Sequence, residues 1–263
     1  MKSLYKLITK TNLKSPSILF PLVFPLIFIL LYSVGINDGI TSVELDALVA
    51  TFFVTIFSIT TMQTGLMGFG INFVAIKESV LIRRIGATEL NKLDVILSLL
   101  FYGLTVWLIS AAWIFLTVII FSGIGTFYSV ADDGSKVFVT NAAAWMQYVN
   151  WGKFLCSTIV MLFASFSLGI FFTSIAPNDQ SYMAMAMLYF FFAGFMGGLL
   201  FPGDVPNWIE YIGYVIPHSY VGFLNDWAAG TSIETWQTVT GFIVPIVFGI
   251  VVLGASVKLL KFD

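Results

Sequence analysis

Few side chains in this 263-residue sequence can do chemistry. There is one histidine, His218, and one cysteine, Cys156, so neither a zinc or di-iron cluster nor a disulfide framework can be assembled. The single Gly-Lys pair, Gly152-Lys153, is followed by Phe154 and lacks a glycine-rich turn, so it is not a phosphate-binding loop. No Gly-x-Ser-x-Gly elbow, His-Glu-x-x-His helix or pair of intramembrane carboxylates is present, which removes the parts of a lipase, a metalloenzyme or an intramembrane protease. Catalysis is therefore not expected from this chain. His218, beside Pro217 in an aromatic segment, reads as structural at headgroup level, and Cys156 reads as a small packing residue.

What chemistry remains is charge, and it is concentrated. Residues 77–94 hold seven charges in 18 positions, among them Lys77, Glu78, Arg83, Arg84, Glu89 and Lys92. Val80, Leu81 and Ile85 share one helical side, so a short amphipathic helix fits, interrupted at Gly86 and restarted near Thr88 as a cap for the next helix. A hairpin between two helices needs only a few residues. This longer, charged segment reads as a docking surface for a partner.

The elements that must position this segment are membrane helices. Only 10% of residues are charged while 59% are hydrophobic and 17% aromatic; a soluble domain carries about 25% charge. Charge-free apolar runs long enough to cross about 30 Å of hydrocarbon occupy residues 18–36, 47–75, 95–121, 154–176, 182–201 and 238–257. A charge at the centre of a span costs about 2.5–3.5 kcal/mol, which explains why none of the 26 falls there. The net charge of −2 excludes a basic nucleic-acid binder, and uncharged spans argue against a proton-coupled pump or voltage sensor.

Ten of the 12 basic residues precede span 1, lie between spans 2 and 3, or follow span 6. The positive-inside bias then places both termini in the cytoplasm. The first run, with Pro21 and Pro25 inside it and five spans after it, reads as an uncleaved span and not a signal peptide. Residues 1–16, with Lys2, Lys6, Lys10 and Lys14 beside Leu4, Leu7 and Ile8, read either as an interfacial helix on the inner leaflet or as a frayed topology signal. The segment 202–237, broken by Pro202, Pro206 and Pro217 and rich in Trp and Tyr, is expected to dip into the outer interface as short helices. The loop 122–153 reads as ordinary and solvated. The expected fold is one all-α transmembrane domain over 1–263, with no repeat and no domain boundary.

This pattern resembles the permease subunits of type-2 ABC exporters of drugs, lipids or polysaccharides. In that family an acidic residue and then Lys/Arg-Arg-Leu-x-x-Thr-Pro mark a coupling helix, matched loosely here by Glu78 and Arg83-Arg84-Ile85-Gly86-Ala87-Thr88, with Glu89 in place of the proline. Before the last span the family shows Gly-hydrophobic-Phe-Pro, Pro-x-Trp and Pro-x-x-Tyr; this chain has Leu200-Phe201-Pro202, Pro206-Asn207-Trp208 and Pro217-His218-Ser219-Tyr220. The resemblance implies a multi-pass subunit of the cell membrane, a second permease copy or sister permease, and a separate ABC ATPase that binds the ATP and Mg. It implies that Glu78, Arg83, Arg84, Thr88 and Glu89, within a coupling helix at 77–92, contact that ATPase; the arginines also fit a simple positive-inside patch.

It implies further that spans 2 and 5 line the substrate path. Phe53, Phe57, Thr60, Thr64 and Met67 recur at spacings of four and three, with Gln63 beside them, and span 5 carries Met183, Met187, Phe190 and Phe191. Thioethers, rings and a few hydroxyls suit a pliable site for a greasy substrate, although for each residue taken singly helix packing is the stronger reading. Gly194-x-x-x-Gly198 offers a close helix approach. The leading expectation is an exporter of a hydrophobic drug or lipid-like substrate. The alternatives are a polysaccharide or teichoic-acid exporter and an ATP-independent channel or membrane assembly protein.

Overall fold

The computed structural model describes residues 5, 6, 9, 19–34, 40–78, 92–130, 134–199 and 207–259. Helix α1 (Leu19–Val34) is followed by α2 (Ser42–Gln63), which continues through a π-helical stretch (Thr64–Phe69) into α3 (Gly70–Glu78). Then come α4 (Lys92–Gly123), a ribbon of β1 (Tyr128–Val130) and β2 (Lys136–Phe138), a 3₁₀ turn at Ala144–Tyr148, α5 (Trp151–Ile175) and α6 (Asp179–Phe195). The short helices α7 (Asn207–Gly213) and α8 (Tyr220–Ala228), with a 3₁₀ turn at Pro217–Ser219 between them, lead to α9 (Thr235–Leu259).

Three helices begin where a side chain supplies an acceptor for their first amides. The Thr41 side chain accepts from the Glu44 amide while Glu44 accepts from the Thr41 amide at 2.8 Å, a reciprocal cap for α2. Asn150 and Asn178 cap α5 and α6 by accepting from the Lys153 and Ser181 amides at 3.2 and 2.8 Å.

Among the described residues four helices are long and apolar enough to cross a membrane: Ser42–Val74, Leu97–Gly123, Trp151–Ile175 and Thr235–Leu259. Helices α1 and α6, of 16 and 17 residues, lie on the first and fifth expected spans but are shorter. In the most apolar stretch of the α2–α3 helix 83% of residues are buried, against 28% for α4 and 22% for α9. The second expected span is thus the axis of the bundle. Around it, α4 and α9 present Leu108, Leu116, Ile120, Ile243, Ile250 and Val251 outward, as lipid-facing helices do.

The structure corrects several expectations. The loop 122–153 is not merely solvated: it carries the antiparallel ribbon, with Ser129 opposite Val137, and buries Phe127, Trp145 and Val149. The Thr140 amide donates to Asp46 at 3.1 Å, fastening this cap to the start of α2. Its aromatic and β-branched residues extend the apolar core past the helix ends, which a reading based on the Asp132-Asp133-Gly134 sequence overlooks. Gly194 and Gly198 do not form one helical face, because α6 ends at Phe195 and Gly198 turns the chain with φ +70°. Cys156 is exposed on α5 and not packed. The expected short helices of 202–237 are present at Asn207–Gly213 and Tyr220–Ala228, and His218, Val221 and Leu224 beside or within them are fully enclosed by protein. Of residues 1–16 only three are described; among them Tyr5 meets Thr105 of α4 with 2.9 Å between hydroxyls.

Candidate functional site

The middle of the bundle holds a polar centre. The hydroxyls of Thr60 and Thr61 on α2 and of Thr64 at the start of the π stretch donate to the carbonyls one turn back, each at 2.8 Å, so they satisfy themselves within their own helix. Thr61 also accepts from the indole N–H of Trp107 on α4 at 3.0 Å.

Immediately below, the helix widens into the π turn. A π turn interrupts the regular ladder and leaves a carbonyl in need of another donor. The phenol of Tyr182, one turn into α6, donates to the Leu66 carbonyl. Further down, the Asn72 amide donates to the Gly68 carbonyl at 2.6 Å and approaches the Tyr102 hydroxyl at 3.4 Å. Glycines make this fit possible. A Cβ on Gly65 would stand 2.6 Å from Ser165 Cβ and 2.9 Å from the Ser165 carbonyl carbon, and one on Gly70 would overlap the Tyr182 hydroxyl.

Ser165 also reaches the short helices. Its hydroxyl lies 3.2 Å from His218 Nε2, while the Tyr189 hydroxyl lies 2.6 Å from His218 Nδ1. The imidazole meets the rings of Tyr189 and Phe248 at near-perpendicular angles. His218 therefore pins the Pro217–Ser219 turn to α5, α6 and α9. Enclosure with hydroxyl partners holds the ring neutral. No group of three metal-ligating side chains occurs among the described residues. His218→Ala is expected to lower stability by about 2–4 kcal/mol through a cavity and two hydroxyls left short of a partner. Thermal unfolding in detergent checks this, with His218→Gln losing less.

At the far end of the same long helix, Lys77 Nζ donates to the Thr173 and Ala176 carbonyls at 3.0 and 3.2 Å. The ammonium thus neutralises the carbonyl-rich end of α5. On the opposite side of the bundle, burial pushes the Asp226 carboxyl of α8 up to about 6. A carboxyl whose folded value is raised binds its proton more tightly folded than unfolded, so its contribution to stability is lost as pH rises from about 4 to about 6. Unfolding followed across that window should show the decline, and Asp226→Asn should flatten it.

The expected pathway residues are divided between two apolar clusters. Phe53 packs between Trp145 and Phe154, at 4.5 and 5.5 Å between ring centres, and Phe57 lies 4.8 Å from Phe154. Met67 and Phe190 share the other cluster, with Met187 packed against it. Thr60, Gln63 and Thr64 are buried, Met183 is half-buried, and Phe191 is 47% exposed. Of the expected coupling residues, Arg83, Arg84, Thr88 and Glu89 and the side chain of Glu78 lie outside the described residues. Sequence reasoning missed Gly65, Gly70, Ser165, Tyr182 and Tyr189. The glycines at 65, 68 and 70 in an otherwise bulky apolar run were the available signal.

Comparison with curated proteins gives no match. A family model described as ABC-2 family transporter protein matches residues 44–258, from the first turn of α2 to the last turn of α9. The chain belongs to the ABC-2 family of membrane transporter proteins.

Proposed function

We propose that this chain is the membrane-spanning permease subunit of an ATP-driven exporter, moving a hydrophobic drug or lipid-like substrate out across the cell membrane. The observation that carries this reading is the family match over 44–258 in a chain whose long helices are apolar and which has no phosphate-binding loop. In this reading α1 and α6 also cross the bilayer, giving six spans, with both termini cytoplasmic and the ribbon and short helices outside. ATP and Mg belong to a separate ABC ATPase, which docks on the segment after Lys77 through Glu78, Arg83, Arg84, Thr88 and Glu89. A second permease, identical or related, completes the pathway.

The substrate path in this proposal uses the face of α6. Phe191, Phe192 and Phe195 are exposed there, and Phe191 and Phe195 stack at 6.0 Å. Met183 and Met187 lie half-buried at its edge and supply pliable thioether contacts. Phe53, Phe57, Thr60, Gln63, Thr64, Met67 and Phe190 are enclosed in a single chain here, so a substrate reaches them only when the helices part.

The test is biochemical. The full chain, purified from its native membrane, should bring an ABC ATPase with it, and candidate lipids or drugs should raise that ATPase's turnover in vesicles. A chain that recruits no ATPase would overturn the reading.

A further inference from the structure

The central helix makes two contacts with the same corner of the bundle. Lys77, next to the segment assigned above to the ATPase, donates to the Ala176 carbonyl at the turn between α5 and α6. Tyr182, which begins just beyond that turn and whose own amide donates to the Asn178 carbonyl, donates in turn to Leu66 in the π stretch. The helix is therefore held by the α5–α6 corner both at its end and at its one irregular point.

The π stretch is also where the helix can bend at least cost. Its amide ladder is already broken, and in an apolar interior a freed carbonyl stays open only while another group donates to it. Gly65 and Gly70 remove the side chains that would block movement against Ser165 and Tyr182. Regular α-helix lies on both sides, through α2 and α3.

We propose that the π stretch is a latched hinge, with Tyr182 as the positioning residue that holds it open and Lys77 as the link that lets motion of the α5–α6 corner release it. This rests on the permease reading above. When the α5–α6 corner that Lys77 and Tyr182 both hold shifts, Tyr182 leaves the Leu66 carbonyl and α3 re-aims relative to α2. The hinge is thus placed to convert a push at one end of the chain into a rearrangement of its polar centre.

The experiment is hydrogen exchange on the full chain in lipid nanodiscs, with and without its co-purified ATPase. Tyr182→Phe, which removes only the hydroxyl, should accelerate amide exchange over residues 64–70 about tenfold in the resting protein, while α9 is unchanged. Vanadate trapping of the ATPase should accelerate the same amides in the wild type. Deleting Gly68, which takes out one residue from the π turn and restores α-helical register, should abolish that response and lower transport per ATP hydrolysed about tenfold while ATPase binding persists. Unaltered exchange over 64–70 in Tyr182→Phe would overturn the latch, and this arm needs no ATPase. A normal response in the resting protein with no ATPase recruited would instead overturn the permease reading. Should the deletion variant not fold, trapping in the wild type with no change at 64–70 overturns the hinge.

Discussion

Gly65→Ala is expected to destabilise the protein by about 2–3 kcal/mol, a large cost for one methyl group. The added carbon would stand 2.6 Å from Ser165 Cβ and 2.9 Å from the backbone carbon of the same residue. A flexible side chain can swing away from such a contact, whereas backbone cannot, so the π stretch and α5 have to separate along their crossing. The damage spreads because Ser165 also holds His218, and His218 fixes the short helices to α5, α6 and α9. Gly68→Ala is the control: a carbon there would meet Thr64 Cγ2 at 3.4 Å and Val106 Cγ1 at 3.7 Å, ordinary contact distances. Thermal unfolding in detergent should show a fall of many degrees for the first variant and little change for the second. Equal effects would show that the loss comes from glycine's backbone freedom and not from the close approach of the π stretch to α5.

The helical, membrane-spanning character was legible because it follows from solvent: charge cannot sit at depth, so apolar runs report it directly. The short helices before α9 were legible for the same reason, since Pro202, Pro206 and Pro217 rule out a long span in a stretch still rich in rings. What could not be read is whatever depends on a neighbour. His218 sits beside Pro217 and two residues before Tyr220, a local setting typical of an interface, yet α5, α6 and α9 close over it. Trp145 follows three alanines, and its contacts with the distant Phe53 and Phe115 make it core. The π stretch has no local signature beyond its glycines, because the donor that completes it, Tyr182, lies 116 positions away. Helical periodicity placed Phe53, Phe57, Thr60, Thr64 and Met67 on one side of the second expected span and could not tell a pathway from a core. For most of its length that helix is buried all round, so one-sided spacing carries little information there.

Arg84→Glu is expected to separate the two meanings of the charged segment after Lys77. If Arg84 pairs with an acid in a partly desolvated groove of the ATPase, reversal places like charges together and weakens the complex about 30-fold or more, since breaking such a pair costs about 2–5 kcal/mol. Transport should fall with it, while the chain inserts normally. If Arg84 instead serves only the positive-inside bias, the readout is topology: Arg84→Glu should misorient a fraction of the chains, and Arg84→Lys should behave as wild type in every assay because it keeps the charge. The lysine variant is the sharper probe. A lysine cannot reproduce the two parallel donors of a guanidinium, so a docking role predicts weakened ATPase capture at unchanged topology. Surface cysteine labelling from either side of sealed vesicles reports orientation, and affinity capture at fixed ATPase concentration reports docking. Full ATPase capture by Arg84→Glu in correctly inserted chains would exclude a coupling role for this residue.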